Sequence, residues 1–181
     1  MESGTVLAVS RSDTHETVGK DNHGDIRLLA GVGVEGDAHA GATVQNPWRV
    51  RRDPTAPNLC QVHLLPAELL DHLTDAGFTL RPGELGENVT TRGLDLEALP
   101  LGTLLRLGPD AVVRLTGLRD PCWRINSVRP RLLKEVLYRD NGTIVRRAGV
   151  MGVVVASGTV AAGAPVRPEL PAALHMPLPA V

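Results

Sequence analysis

Aromatic residues are scarce in this chain of 181 residues, where Trp48, Phe78, Trp123 and Tyr138 make up only 2% of the sequence. Proteins that bind single-stranded nucleic acid stack bases on aromatic rings, so this composition argues against that function. The net charge of −1 also argues against a basic protein that binds nucleic acid through its overall charge. We therefore expect a core of Leu, Val and Ala and no nucleic-acid partner.

The sequence also lacks long apolar runs and is poor in cysteine. No run reaches the roughly 18 apolar residues of a membrane span, and residues 1–4 lack the basic and apolar pattern of a signal peptide. Cys60 and Cys122 are the two cysteines, which in such a chain predicts free thiols in a reducing cytoplasm. Two thiols cannot supply the four ligands of an iron–sulfur cluster. We expect a cytoplasmic protein without a membrane partner or such a cluster.

Glycine and proline are abundant and dispersed, which is typical of short strands joined by tight turns. Apolar runs between these turns predict about seven strands, while Leu-rich segments after Pro66 and near Pro130 predict two helices. Residues 11–25 and 42–58 are expected to be loops, and residues 157–167 a final hairpin. Because short turns link most strands, we predict a mainly β fold: a mixed, largely antiparallel β-barrel with peripheral α-helices.

The hydrophobic share of 43% and the charged share of 22% are those of an ordinary globular protein. No internal repeat or linker divides the chain. We therefore expect a single domain over residues 1–170, followed by a flexible tail over residues 171–181 that is rich in Pro and Ala.

Cys122 follows Pro121 at a turn out of a predicted strand, between Arg119 and Arg124. Nearby cations favour the thiolate, the form that attacks electrophiles or binds metal. A small hydrophobic side chain under a loop is the competing interpretation, and local chemistry alone leaves both open. Cys60 lies in an apolar segment, where we expect it to pack in the core.

A second group of polar residues consists of Asp37 and His39, in a loop flanked by glycine, and His63 in a predicted strand. The carboxylate could orient the imidazole or bind a metal with it, but a zinc site needs three or four ligands. Hydrogen bonding that holds the loop is the better-supported interpretation from the residues alone. A divalent-metal hydrolase that uses all three residues remains a weaker alternative.

The chain has 17 Arg and only two Lys, and a GC-rich genome is a sufficient cause of this bias. The guanidinium group is nonetheless suited to binding phosphate and carboxylate. A turn with a side-chain amide, Gly86-Glu87-Asn88, adds a further candidate. Arginines beside predicted loops could converge on an anion; they are Arg49, Arg51, Arg52, Arg119, Arg124, Arg146 and Arg147.

Five motifs occur together in a fixed order: Gly33–Gly41, Gln61–Leu64, Pro82–Val89, Thr116–Cys122 and Gly149–Gly152. With these motifs the chain, from Val6 to Leu170, resembles a small stand-alone MOSC domain of the bacterial type. This module also forms the C-terminal domain of molybdenum cofactor sulfurases. The resemblance implies a β-barrel and makes Cys122 the functional cysteine.

The resemblance also implies an activity. In family members of known activity, this cysteine ligates the molybdenum of the pyranopterin cofactor (molybdopterin), and these members reduce N-hydroxylated small molecules. An older proposal makes the cysteine a persulfide carrier in sulfur transfer, and pyridoxal phosphate binding is also associated with the family. Cys122 is thus the expected metal ligand and, with Arg119 and His39, the expected catalytic group. The residues expected to bind the cofactor are Asp37, His63, Gly86, Glu87, Asn88, Arg124 and Arg147.

The chain departs from the larger family members because it lacks their additional N-terminal β-domain and any iron–sulfur module. Electrons would therefore come from a separate donor protein, or sulfur from a cysteine desulfurase. A non-catalytic barrel that binds a small anion, with Cys122 merely buried, is a further alternative. In a closed barrel, four segments should meet at one cavity: residues 36–41, the strand at His63, residues 86–88 and the turn at Cys122.

Overall fold

Strands dominate the regular structure of residues 3–172 and 174–181, which a computed structural model of the chain describes. The strands are β1 (Gly4–Arg11), β2 (Asp21–His23), β3 (Asp25–Leu29), β4 (Gly33–Val34), β5 (Val62–Pro66), β6 (Val89–Arg92), β7 (Leu104–Leu107), β8 (Ala111–Leu118), β9 (Leu137–Asp140), β10 (Thr143–Arg146), β11 (Val150–Ala156), β12 (Gly158–Ala161) and β13 (Pro165–Glu169). The helices are α1 (Pro47–Arg52), α2 (Ala67–Asp75), α3 (Leu133–Val136) and a 3₁₀ helix over Trp123–Ser127.

Seven strands close into a barrel in the order β13, β7, β8, β11, β5, β6 and β1, with β1 returning to β13. All neighbouring pairs are antiparallel except β5 and β6. Helix α2 connects these two strands, because a parallel pair needs a crossover rather than a tight turn. The prediction of a mixed, largely antiparallel barrel with peripheral helices is confirmed.

Two hydrophobic clusters lie on opposite sides of the barrel wall. Alternation along β5 sends Leu64 into the barrel interior and Leu65 outward, beneath α2. The outer cluster joins Leu73 of α2 to Ile125 of the 3₁₀ helix and to Leu132, all fully buried. The 3₁₀ helix begins directly after Cys122, so this outer cluster fixes the turn that carries the candidate cysteine.

Several local predictions were wrong. The expected loop over residues 42–58 contains α1, whose six residues begin beside the Asn46 cap, and the expected loop over residues 11–25 contains β2. The segment over 157–167 is not a hairpin, because β12 pairs with β3, whereas β13 pairs with β1 and β7.

The helix predicted near Pro130 is reduced to the four residues of α3, and the hairpin β9–β10 follows it. Asn141 and Gly142 form the two-residue turn of this hairpin and both have positive φ values, 47° and 84°. An Asn-Gly pair is a strong signal for such a turn, although this hairpin was not predicted from the sequence.

The end of the chain is not a free tail. Leu178 is buried, and Ala180 forms a bridge to Leu118 of β8. The backbone N–H of Val181 donates to the Leu118 carbonyl at 3.0 Å. Gly117 makes room for this pairing, since a side chain there would meet the Pro179 carbonyl and Val181. Residues 178–181 of the expected tail are thus anchored to the barrel; Ala173 lies outside the described residues.

Candidate functional site

One cavity of about 190 Å³ opens beside the barrel end where β8 leaves the sheet. The structure brings all four predicted segments to its wall. His39 comes from the first loop, His63 from β5, Asn88 from the turn before β6, and Cys122 from the turn after β8. Gly86 and Arg119 also line this cavity.

Cys122 is exposed at this cavity and is not packed among Leu and Val side chains. Its position follows from two anchors. The backbone N–H of Arg119 donates to the Gly149 carbonyl at 3.0 Å, and the N–H of the buried Ile125 donates to the Cys122 carbonyl at 3.1 Å. The thiol therefore sits on a turn that is held at both ends.

Arg119 brings a positive charge to the cavity wall. Its Nη1 is buried and has no hydrogen-bond partner among the described residues. Burial lowers the pKa of Arg119, while the nearby Glu87, Cys122 and Cys60 oppose that shift. The guanidinium stays charged, as arginine does in proteins. A buried charged donor without a partner costs free energy, so this group is suited to an anionic ligand.

A buried polar network stands behind the cavity wall and is centred on Asp37. The carboxylate accepts from Lys20 Nζ at 2.7 Å and from Asn88 Nδ2 at 2.9 Å. It also accepts from the backbone N–H of His39 at 2.9 Å and lies 3.1 Å from His39 Nδ1. Burial raises the pKa of Asp37, but the His39 hydrogen bond and the Lys20 charge outweigh it and hold this pKa well below its usual range.

The network orients His39. Because the ionised Asp37 can only accept, Nδ1 of His39 donates to it, and Nε2 makes no bond to the carboxylate. The side chain of His39 is 37% exposed, and the ring of His15 meets it edge to face with centroids 4.5 Å apart. Burial and the neighbouring His39 lower the pKa of His15. His39 is thus the imidazole best placed to act on a bound molecule.

His63 has a different role. It is buried, and its Nε2 lies 2.7 Å from the Ala148 carbonyl, to which it donates as a neutral ring. Burial and the charge of Arg119 hold the pKa of His63 well below its ordinary value. Asn88 accepts from the backbone N–H of His63 and donates to the Ser10 carbonyl and to Asp37. It therefore links β5, β1 and the loop over residues 36–41.

Glu87 is fully buried and does not line the cavity. Its Oε1 accepts from the Gly83 N–H at 2.7 Å and from Thr90 Oγ1 at 3.0 Å, while Oε2 has no partner among the described residues. Burial raises the pKa of this carboxyl group. Glu87 therefore supports the turn before β6 from behind.

Arg124 and Arg147 differ from the expectation that both bind a cofactor. Arg124 lines the cavity, but its Nη2 donates to the carbonyls of His15 and Glu16, so it holds the loop before β2. Arg147 lines a separate hollow next to Glu97. Arg147 is not among the residues that line the cavity, so the geometry gives no support to a cofactor contact from this side chain.

Of the other candidate arginines, Arg49 lines the cavity, whereas Arg146 pairs with Asp120 at 2.7 Å. Sequence reasoning missed further residues at this cavity, among them His15, Lys20, Cys60 and Val181. Lys20 is one of only two lysines, which was the available signal. Val181 was dismissed as part of a tail.

Cys60 is not a core residue, as its apolar neighbours had suggested. It is half-buried at the cavity, and its Sγ lies 3.8 Å from Arg49 Nη1. Burial raises the pKa of the Cys60 thiol, and the charge of Arg49 opposes that shift. Both cysteines of the chain therefore face one cavity, in different electrostatic surroundings.

The geometry gives no support to a divalent-metal hydrolase. Within residues 3–172 and 174–181, no three His, Cys, Asp or Glu side chains gather as a ligand set. Asp37 is occupied by Lys20, and His63 by a backbone carbonyl. In the same part of the chain, no helix has the length and apolarity required to cross a membrane.

Comparison with known proteins identifies the family. The sequence profile of the MOSC domain matches residues 51–167, which is more than half of the chain and includes Cys122. The chain belongs to the MOSC domain family. No match was found among curated protein sequences.

Solved structures show the same fold at low sequence identity. The YuaD protein from Bacillus subtilis is 20% identical and superposes with a TM-score of 0.69 over 92% of this chain and 97% of its own. YiiM from Escherichia coli is 20% identical, with a TM-score of 0.59 over 97% and 73% of the two chains. YiiM from Geobacillus stearothermophilus is 17% identical, with a TM-score of 0.62 over 96% and 77%.

Proposed function

We propose that this protein binds the molybdenum cofactor and reduces N-hydroxylated small molecules, with the Cys122 thiolate as the metal ligand. One observation carries the proposal: the exposed Cys122 shares a cavity with Arg119, whose buried Nη1 lacks a partner among the described residues. A thiolate is a soft ligand suited to such a metal, and a guanidinium is suited to the anionic groups of the cofactor.

The side chains that face the cavity suit the cofactor chemically, and the cavity has room for part of it. The cavity volume of about 190 Å³ is below the roughly 300–1,000 Å³ of typical ligand sites, so part of a group of this size would occupy the open mouth. Cys122, Arg119 and Arg49 are the residues that would hold it. Pyridoxal phosphate fits less well, because a Schiff base needs a free lysine and Lys20 is bonded to Asp37.

When bound, the cofactor supplies the two-electron redox chemistry. Reduction of an N-hydroxyl group breaks the N–O bond, consumes two electrons and two protons, and releases an amine and water. Asp37 fixes the orientation of His39, and the protonated ring would donate a proton from Nε2 to the departing oxygen. His63 does not serve this purpose, because its Nε2 is bonded to a backbone carbonyl. The electrons come from a separate donor protein.

The decisive experiment compares the two cysteines of the cavity. Protein from a host that makes the cofactor should contain molybdenum, Cys60→Ala should retain it, and Cys122→Ala should lose it. With a chemically reduced viologen as donor, loaded protein should reduce an N-hydroxylated amidine. His39→Asn should keep its molybdenum but lower kcat. Equal trace molybdenum in the unmodified protein and in Cys122→Ala would refute the proposal.

Exposure of Cys122 also favours a second candidate function, sulfur transfer. The Cys122 thiolate would attack the outer sulfur of a persulfide on a cysteine desulfurase, and the donor cysteine would leave as a thiolate. Treatment with a desulfurase and cysteine should then add one sulfur atom to the intact mass, and Cys122→Ser should gain none. An unchanged mass of the unmodified protein would refute this candidate. The alternative of an inert anion-binding barrel assumed a buried Cys122, which the structure contradicts.

A further inference from the structure

Both tryptophans of this chain are exposed, although the chain has only four aromatic residues. Trp48 is 65% exposed and Trp123 is 75% exposed. Such large apolar rings are normally buried at least in part, so two of them in solvent point to an interaction surface.

Both tryptophans belong to segments that line the cavity. Trp48 stands in α1 between Asn46 and Arg49, and both of these neighbours line the cavity wall. Trp123 directly follows Cys122. Each tryptophan is therefore adjacent in sequence to residues of the cavity wall, and the two come from different segments of that wall.

Basic residues predominate in the two segments that carry the tryptophans, although the chain as a whole is nearly neutral. Segments 46–53 and 119–134 carry eight Arg and Lys residues and two Asp, whereas the rest of the chain carries eleven basic and eighteen acidic residues. Arg51 and Arg52 are exposed, and the Arg52 guanidinium lies 5.9 Å from the centre of the Trp48 ring. Tryptophan and arginine are the residues most enriched at binding hot spots.

We propose that segments 46–53 and 119–134 form a docking rim for a small acidic electron-carrier protein. The inference rests on the proposed reductase function, which requires electrons from another protein. A positive rim attracts and orients an acidic partner, and small interfaces suit the short encounters of electron transfer. Docking there places the partner's redox group over the mouth at which Cys122 is exposed.

The test measures the binding of the full chain to two acidic carriers, a flavodoxin and a plant-type ferredoxin. Trp48→Ala/Trp123→Ala removes the rings, and Arg51→Glu/Arg52→Glu reverses charge on the rim. Arg27→Glu/Arg167→Glu is the matched control, because these exposed arginines lie on β3 and β13, away from the cavity. Molybdenum content is measured for every variant.

We expect binding that weakens steeply between about 10 mM and about 150 mM salt, where the screening length falls from about 30 Å to about 8 Å. Each rim variant should raise the Kd about tenfold or more, and the control should change it less than about twofold. The inference is overturned if neither carrier binds, or if the rim variants bind as well as the control. It is equally overturned if phosphatidylserine vesicles bind through these residues and the carriers do not.

Failure of the docking rim is distinguishable from failure of the proposed function. Carriers that bind through the rim of a protein unable to retain molybdenum would refute the cofactor and leave the docking surface standing. A molybdenum-loaded protein that binds neither carrier would refute the docking rim and leave the proposed cofactor standing.

Discussion

The Lys20 ammonium lies 2.7 Å from the Asp37 carboxylate, with only 5% and 1% of the two side chains exposed. This ion pair joins the loop before β2 to the loop that follows β4. The same carboxylate fixes His39 and Asn88, both of which line the cavity. One buried charge pair therefore couples the packing of two loops to the orientation of the candidate proton donor.

Asp37→Asn should be strongly destabilising. The substitution leaves the Lys20 ammonium buried without a countercharge, and removal of one partner from a buried pair costs about 3–5 kcal/mol. Urea unfolding followed by circular dichroism measures the change. Glu169→Gln is the control, because it breaks the exposed Arg106–Glu169 pair and should change stability little. Equal effects of the two substitutions would contradict the assigned role of the buried pair.

His63 should make the protein less stable as the pH falls below neutral. Its pKa in the folded state is lowered, so its contribution is fully present above the unfolded pKa of about 6.5 and declines as the pH falls below that value. One proton can change the free energy of unfolding by up to about 1.4 kcal/mol per pH unit. Denaturant unfolding at several values between pH 7 and pH 5 measures the slope.

The matched variant for that slope is His63→Gln, which retains a donor for the Ala148 carbonyl but does not titrate. We expect a flatter profile than that of the unmodified protein. His15→Gln reports the separate contribution of the lowered His15 pKa. A slope that His63→Gln leaves unchanged would show that His63 is not the titrating group.

The two cysteines should differ in reactivity. Cys122 is exposed, whereas Cys60 is half-buried and burial raises the pKa of its thiol, which lowers its thiolate fraction. Iodoacetamide should therefore modify Cys122 in a fast phase, and Cys60 more slowly, as measured by peptide mass spectrometry. Cys122→Ser should lose the fast phase and Cys60→Ser should keep it. Equal rates, or a faster Cys60, would contradict the assigned environments.

The barrel could be predicted because the sequence signals for its strands are local. Apolar runs alternate with tight turns, and the run over residues 150–156 coincides with β11. The approach of His39, His63, Asn88 and Cys122 followed from the closure of that barrel. The positions of the other cavity residues depend on tertiary packing, which the local sequence does not show. Cys60 had apolar sequence neighbours, but its chain segment brings it against Arg49 at the cavity.

Long-range pairing explains the other errors. Lys20 could not be assigned to the site from its neighbours, because its partner Asp37 lies 17 residues further along the chain. The last residues looked unstructured because their pairing with Leu118 depends on the groove at Gly117, which has no local signature. Arg147 lines a different hollow from that of Cys122, although its neighbour Arg146 reaches Asp120 at the cavity.

Gly149 is the residue at which backbone conformation, packing and the candidate site meet. It has a φ of 81°, its carbonyl accepts from the Arg119 N–H, and its N–H donates to Glu97 at 3.0 Å. A Cβ there would press on the Leu64 carbonyl and lie 3.1 Å from His63 Nε2. Gly149→Ala should therefore displace both His63 and the turn that carries Cys122.

The control is Gly163→Ala, where φ is 86° but no atom lies within 4 Å of the added carbon. Gly163→Ala should lower the free energy of unfolding only by the cost of placing alanine in a left-handed backbone conformation, about 1–2 kcal/mol. Gly149→Ala should lower the free energy of unfolding clearly more, as measured by urea unfolding. Its molybdenum content should also fall, whereas that of Gly163→Ala should not. If the two variants are equally stable and equally loaded, the close packing around Gly149 does not position the cavity.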